Sequence, residues 1–338
     1  MRDLRDYSLK GHNTFGIEAR CKRFAEYASA EEAQRLALTL PPGEPLLIVG
    51  SGSNLLLTAD FPGTVLHSAV RFVSTQTVGH DTVDVTAGSG VEWDTLVSHC
   101  LSHRWYGMEN LSLIPGEVGA SAVQNIGAYG AEVAHIIHKV EAVSLDDGRL
   151  VTIGRDDCRY AYRDSRFKHE WRNRFLIVSV TYRLSTTFTP HLDYGNIRSE
   201  LQRRGIGPHP TAAQLRDTII AIRQDKLPDH HVVGNAGSFF VNPVVSREQA
   251  ETLLKRYPLM PTYPVDDRHV KVPAGWLIEQ CGWKGRAMGA AAVHDRQALV
   301  LVNRGGASGR DIVALSDAIR RDVSDRFGID IHPEVNIV

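Results

Sequence analysis

An α+β fold divided into two or three domains is what this sequence predicts, on three observations. Its 338 residues exceed the size at which a single core usually stops growing. Strand and helix patterns mix through residues 1–200 with much sheet. Near Thr211 the texture changes to a long amphipathic helix, so a second domain is expected over residues 211–338, with Pro208 to Pro210 in the connection.

Each element follows from its own pattern. From Glu31, EEAQRLALTL has helical spacing and ends at Pro41-Pro42; LLIVG then reads as a short buried strand running into Gly50-Ser51-Gly52-Ser53-Asn54. Thr64 to His67 and Val83 to Thr86 read as strands, and Gly88-Ser89-Gly90 opens a helix over Trp93 to His103. The segment from Gly107 to Gly130, GMENLSLIPGEVGASAVQNIGAYG, carries five glycines and is read as too glycine-dense for ordinary helix or strand. Glu141 to Ile153 predicts a hairpin turning at Asp146-Asp147-Gly148, and Phe175 to Leu184 a strand. In TAAQLRDTIIAIRQDK, Leu215, Ile219 and Ile222 share a helical face before Pro228. The last helix is expected to be capped by Ser308, to keep Ile312, Leu315, Ile319, Val323 and Phe327 on one face and to stop at Gly328, with a final strand from Ile329 to Val338.

Composition excludes several classes. Lysine plus arginine (38) nearly cancels aspartate plus glutamate (39), so no basic surplus is present to hold a nucleic-acid backbone. Apolar runs such as Leu46 to Val49 and Ala298 to Val302 fall far short of the roughly 20 residues that span a bilayer. The opening MRDLRDYSLKGHNTF has no apolar core and does not read as a secretory signal. Cys21, Cys100, Cys158 and Cys281 are widely spaced, as free thiols in a reducing compartment would be, and a cytoplasmic protein is expected. His99 and His103 have metal-ligand spacing, but no carboxylate or cysteine pattern completes a set; His230-His231 is no better supported, and no metal is expected.

Two glycine segments carry the chemistry. Side chains in Gly50-Ser51-Gly52-Ser53-Asn54 are too small to block a ligand, and successive backbone N–H groups there can cradle a pyrophosphate, although the same residues also make an ordinary tight turn. Leu55 stands where a Rossmann fingerprint needs its third glycine, so a dinucleotide would be held by another fold. Ile114-Pro115-Gly116 and Gln124-Asn125-Ile126-Gly127-Ala128-Tyr129-Gly130 combine close-approach glycines with amides suited to a flavin ring edge; the alternative is a compact loop packed on itself. No GxSxG elbow supports a serine nucleophile.

These motifs, taken with Asn13-Thr14-Phe15, Tyr162-Arg163-Asp164-Ser165, Gly234-Asn235-Ala236-Gly237-Ser238-Phe239-Phe240 and His332-Pro333-Glu334-Val335, resemble the UDP-N-acetylenolpyruvoylglucosamine reductase family over essentially the whole chain. The resemblance implies a vanillyl-alcohol-oxidase (PCMH)-type FAD-binding domain of two α+β subdomains, followed by a smaller α+β substrate-binding domain. It implies a cycle in which NADPH reduces a flavin and gives way to UDP-N-acetylglucosamine enolpyruvate, which becomes UDP-N-acetylmuramate for peptidoglycan; a monomer is expected, though no residue pattern sets the oligomeric state. By motif match, Arg163 grips the substrate carboxylate, Ser238 donates a proton and Glu334 polarises the forming enolate. The residues alone also allow Arg163 a surface ion pair with Asp164, Ser238 a turn cap and Glu334 a solvated position. Tyr162, Tyr194, Lys226, Asn242 and Gln297 are implied substrate contacts, Tyr194 on the extra LDYGN loop of one subclass, while Tyr162 and Tyr129 can equally be core aromatics. From Leu46 to Leu57 there is no histidine or cysteine to attach a flavin, so dissociable FAD is expected. The competing readings are a carbohydrate or hydroxy-acid oxidase of the same fold and a nucleotide-binding module without catalysis.

Overall fold

The computed structural model describes residues 1–338, which cluster into two compact units. One comprises Met1–Tyr7, Cys21–Ser51 and Pro62–Asp225; the other comprises Ser8–Arg20, Gly52–Phe61 and Lys226–Val338.

The first unit contains two large sheets and a short ribbon, Gly127–Ala128 paired with Ala131–Glu132. Strands Arg2–Ser8, Arg20–Tyr27, Phe61–Ser68 and Leu46–Val49 lie side by side in that order, the last pair parallel with Val49 opposite His67. The helix Ala30–Thr39, capped by the Ser29 hydroxyl accepting from Glu32 N–H, buries Ala33, Leu36 and Ala37 with Tyr27, Leu66, Val143 and Leu176. A five-stranded antiparallel sheet runs Leu150–Gly154, Ile137–Ser144, Phe175–Ser185, Thr82–Gly88, Val73–Gly79. The predicted hairpin is present, with Val143 opposite Leu150. This sheet packs with the helix Trp93–Ser102 around Trp93, Leu96, Val97, Val180 and Tyr182. Trp93 Nε1 donates to Leu111 O at 2.8 Å, and Tyr182 and Ser121 exchange a hydroxyl bond at 2.8 Å, so neither buried polar tip is stranded.

Two expectations change here. Residues Val118–Gln124 inside the glycine-dense segment form a helix, because Val118 and Ala122 have a core to enter and Gly119 is required by contact: an added Cβ would lie 2.9 Å from Ser89 Cβ. The helix Ala212–Lys226, read from sequence as opening the second domain, belongs to the first unit through Asp225. Its Leu215, Ile219 and Ile222 pack with Leu192, Ile197 and Leu201, and Arg216 makes a bidentate pair with Asp94 at 2.7 and 2.8 Å.

The second unit holds a four-stranded antiparallel sheet in the order Gly234–Ser238, Val300–Asn303, Ala291–Val293, Ala287–Met288, and a smaller one of Val244–Ser246, His269–Lys271 and Tyr263–Pro264. The helix Gly309–Phe327 has the expected Ser308 cap, completed by Asp311 into a capping box, and ends at Gly328 in the left-handed region. The expected final strand shrinks to Asn336–Ile337, which pairs in parallel with Leu55–Leu56; Ile329 to Val335 is held instead by buried side chains and single backbone bonds. Asn13 fixes the start of this unit, donating through Nδ2 to Leu9 O and Ile17 O and accepting from Ile17 N–H.

Candidate active site

The parallel strand Leu46–Val49 delivers Gly50 and Ser51 in the first unit. A Cβ at Gly50 would come within 3.0 Å of Glu117 Oε2, so only glycine fits there without a shift. Ser51 Oγ is buried with no hydrogen-bond partner. An unsatisfied buried hydroxyl calls for a partner, and a loop of small residues beside it fits a phosphate oxygen of a dinucleotide. Leu113 before the Ile114-Pro115-Gly116 turn has φ 57°, and Gly116 has φ 131°. Leu113 is held from both sides: its N–H donates to Asp94 Oδ1 at 2.6 Å, and its carbonyl accepts from Arg223 Nε at 3.2 Å. Ile114 packs on the core.

Backbone strain concentrates in the next motif and its neighbour. Asn125, Tyr129 and Arg163 are non-glycine residues with φ 45°, 50° and 55°. The Asn125 side chain is fully buried: its Nδ2 donates to Glu132 Oε2 at 2.9 Å and Ala161 O at 2.7 Å, and its Oδ1 accepts from Ala134 N–H at 3.1 Å. This amide, expected to contact the flavin, is instead engaged inside the protein: one hydrogen reaches Ala161 O in the segment carrying Arg163, while the other hydrogen and the oxygen bind Glu132 and Ala134 just downstream. Arg163 Nη2 donates to Gly127 O, and a Cβ at Gly127 would strike Arg163 Nη1 at 2.9 Å. Asp164 faces His169 at 2.8 Å and Ser165 Oγ donates to Val123 O at 2.6 Å. Gln124 and Ala128 are half-buried beside these groups.

Tyr129 is half-buried against the Leu192, Ile197 and Leu201 cluster, which is the core-aromatic alternative for its ring. Its carbonyl and that of His191 both accept from Asn110 Nδ2, at 2.8 and 3.0 Å. Tyr194 is 54% exposed, and a Cβ at Gly130 would come within 3.2 Å of its Cβ. The Tyr162 ring is exposed with the Arg163 guanidinium carbon 5.5 Å from its centroid.

In the second unit Gly52 has φ 70°, and a Cβ there would strike His12 O at 2.0 Å; this glycine is demanded by chain packing. Asn54 Nδ2 donates to Glu334 O at 3.4 Å and Asn54 O accepts from Asn336 N–H at 3.1 Å, with Ser53 half-buried beside it. Ser238, exposed at the end of its strand, precedes Phe239, whose carbonyl accepts from Glu334 N–H at 2.8 Å. The structure therefore brings Ser238 and half-buried Glu334 onto adjacent antiparallel segments. Asn242 Oδ1 accepts from Ala274 N–H at 2.9 Å, and Gln297 Oε1 lies 3.3 Å from the Cβ position of Gly275, so these two amides meet the same short helix, Ala274–Gln280. Lys226 is exposed at the end of its own helix.

Sequence reasoning missed Arg223, Arg216 and Asn110. Burial weighs against the Arg223 charge and lowers its pKa, and the nearby positive charge of Arg163 adds to that, partly offset by Tyr129 and Asp94. Two neighbouring guanidinium groups, Arg163 and Arg223, suit an anion. The spacing of seven from Arg216 to Arg223, on one helical face, was the available clue to these two arginines. The expectation of no metal meets one cluster of the right residue types: the ligand atoms of Asp229, His230 and His231 lie within 4.8 Å of one another.

A family model described as "FAD binding domain" matches residues 23–154, and the C-terminal-domain model of UDP-N-acetylenolpyruvoylglucosamine reductase matches residues 228–338. The enzyme of that name from Bacteroides fragilis is 53% identical over 98% of this chain and 99% of its own length. This chain belongs to the UDP-N-acetylenolpyruvoylglucosamine reductase family. The Paraburkholderia xenovorans member is 49% identical over 98% of this chain and 96% of its own length. The crystal structure of the Thermus caldophilus member, 21% identical, shares the fold with a TM-score of 0.68 over 99% of this chain and 98% of that one. The fold class is thus α+β, an FAD-binding domain followed by the family's C-terminal domain, and the protein is a flavin-dependent oxidoreductase. No helix is long and apolar enough to cross a membrane.

Proposed function

We propose that this protein reduces UDP-N-acetylglucosamine enolpyruvate to UDP-N-acetylmuramate with electrons from NADPH, as a cytoplasmic monomer, and that residues 226–338 carry most of the substrate contacts. Dissociable FAD, when bound, supplies hydride transfer from NADPH to the enolpyruvyl carbon. Gly50, Ser51, Gly52, Ser53 and Asn54 hold its pyrophosphate, and Ile114, Pro115, Gly116, Gln124, Gly127, Ala128 and Tyr129 line the rest of its cradle, largely through backbone.

The remaining roles belong to side chains. Arg163 grips the substrate carboxylate with its planar fork and opposes the negative charge that builds there, a task a point-charge lysine performs worse. Ser238 Oγ delivers a proton to the carbanionic carbon; an alcohol is a weak acid, but that carbon is a strong base. Glu334 shares a proton with the substrate carboxyl and polarises the developing enolate. Asn242 and Gln297 each engage their carbonyl oxygen locally, which turns their NH₂ groups toward phosphate or sugar oxygens, with Lys226, Tyr162 and Tyr194 completing the nucleotide contacts.

The observation that supports this reading best is the Glu334 N–H to Phe239 O bond, which makes the proton donor and the carboxyl partner neighbours. The test is anaerobic absorbance spectroscopy. NADPH should bleach the yellow protein, and UDP-N-acetylglucosamine enolpyruvate should restore the colour while UDP-N-acetylmuramate accumulates. Bleaching that only oxygen reverses would replace this function with an oxidase.

A further inference from the structure

His67 is almost completely buried, 5% exposed, at the end of the strand Phe61–Ser68 and opposite Val49, the residue before Gly50. Its Nδ1 lies 2.9 Å from Glu26 Oε2 and its Nε2 lies 3.2 Å from Glu117 Oε1. The second oxygen of Glu117 is the atom that a Cβ at Gly50 would meet. The three residues come from three separate stretches of chain, and the charged groups facing the ring are the carboxylates of Glu26 from the strand Arg20–Tyr27 and of Glu117 from the turn after Gly116. The buried Tyr27 phenol also senses Glu117 while donating to Ile177 O, and the Phe24 ring stacks on His67 with centroids 6.1 Å apart.

A neutral imidazole has one donor nitrogen and one acceptor, so one of these carboxylates would face a lone pair; only the imidazolium satisfies both. We propose that His67 is a positioning residue for FAD: as an imidazolium clamped between Glu26 and Glu117 it holds the Glu117 carboxylate beside Gly50, fixing the pyrophosphate loop against the Pro115-Gly116 turn. Loss of its proton would leave two carboxylates unneutralised next to the loop that receives a doubly anionic diphosphate. Burial by itself would discharge the ring, but the hydrogen bonds and charges of Glu117 and then Glu26 outweigh it and raise its pKa above the ordinary histidine value. With the pKa raised, the clamp is fully formed below the ordinary histidine range and is lost as pH rises through the raised value, so FAD affinity falls with rising pH.

This inference rests on the FAD assignment and is tested on the full chain stripped of flavin. FAD binding, read by quenching of flavin fluorescence between about pH 6 and 9, should weaken about tenfold across that range, the equivalent of one pK unit of linkage. His67→Gln should bind FAD about tenfold more weakly at the acid end and show little pH dependence. In the unsubstituted protein, the imidazole Cε1–H proton resonance of His67 should titrate about one pK unit higher with FAD bound than without, because linkage is reciprocal. A His67→Gln protein that keeps the full pH slope, or an imidazole that titrates identically with and without FAD, would overturn the proposal. A protein that took up no FAD at any pH would overturn it together with the cofactor assignment.

Discussion

Replacing Asn125 by alanine should cost the protein stability before it costs flavin contacts, and the size of the loss follows from its three bonds. Ala134 N–H, 4% exposed as a residue, loses its acceptor in a place water does not reach, at about 1–3 kcal/mol. Glu132 and Ala161 O lose donors but are open enough to rehydrate, at about 1 kcal/mol each. Alanine at φ 45° adds roughly 1 kcal/mol that asparagine avoids, because asparagine visits the left-handed region readily. The sum is about 4–6 kcal/mol, or a drop of roughly 8–24 °C in the melting temperature of a unit this size. The assay is thermal unfolding with FAD at saturation, followed by Arg163-dependent turnover at a temperature where the variant is folded. Turnover should fall as well, since the bond to Ala161 O anchors the segment just before Tyr162-Arg163. A variant that melts within about 2 °C of the parent but binds FAD many-fold more weakly would refute this account and return Asn125 to the cofactor.

Ser238→Ala should retain FAD and oxidise NADPH normally, yet lose roughly 10²–10⁴-fold in reduction of the enolpyruvyl substrate, measured by stopped-flow absorbance of each half-reaction. Equal loss in both halves would dismiss the proton-donor role. Arg163→Lys should lose most turnover although the charge is kept, because the fork geometry goes; steady-state turnover close to the parent's would make this arginine structural. Asp94 is half-buried, which alone would raise its pKa, but the Arg216 bond and the Leu113 N–H bond prevail and hold it below the ordinary value. A depressed pKa contributes stability above the unfolded value that disappears as pH falls through the folded one, so the destabilisation caused by Asp94→Asn in chemical denaturation should be full at neutral pH and shrink below about pH 4. A pH-independent penalty would assign the effect to packing.

What the sequence made legible was whatever is carried by local periodicity and by small residues in a row. The cap at Ser308, the apolar face through Ile312, Leu315 and Ile319 and the stop at Gly328 are all encoded within a few residues of where they act. Glycine density misjudged Val118–Gln124, because a glycine that would cost helix propensity in water is here required by the closeness of Ser89. Gly52 and Gly127 illustrate the same ambiguity: one is demanded by His12 O and the other by Ala131 O, and no single sequence distinguishes a glycine cleared for a ligand from one cleared for the chain itself. Long-range pairings were invisible altogether. Nothing near Thr211 announces that Arg216 finds Asp94, so a change of texture was read as a domain boundary although the helix packs into the first unit. Glu26, His67 and Glu117 show why this matters for function as well as for fold. Residues that touch a substrate are confined by its shape and cluster in motifs, whereas residues that hold the motifs in place need only reach them, and so they can come from anywhere in the chain.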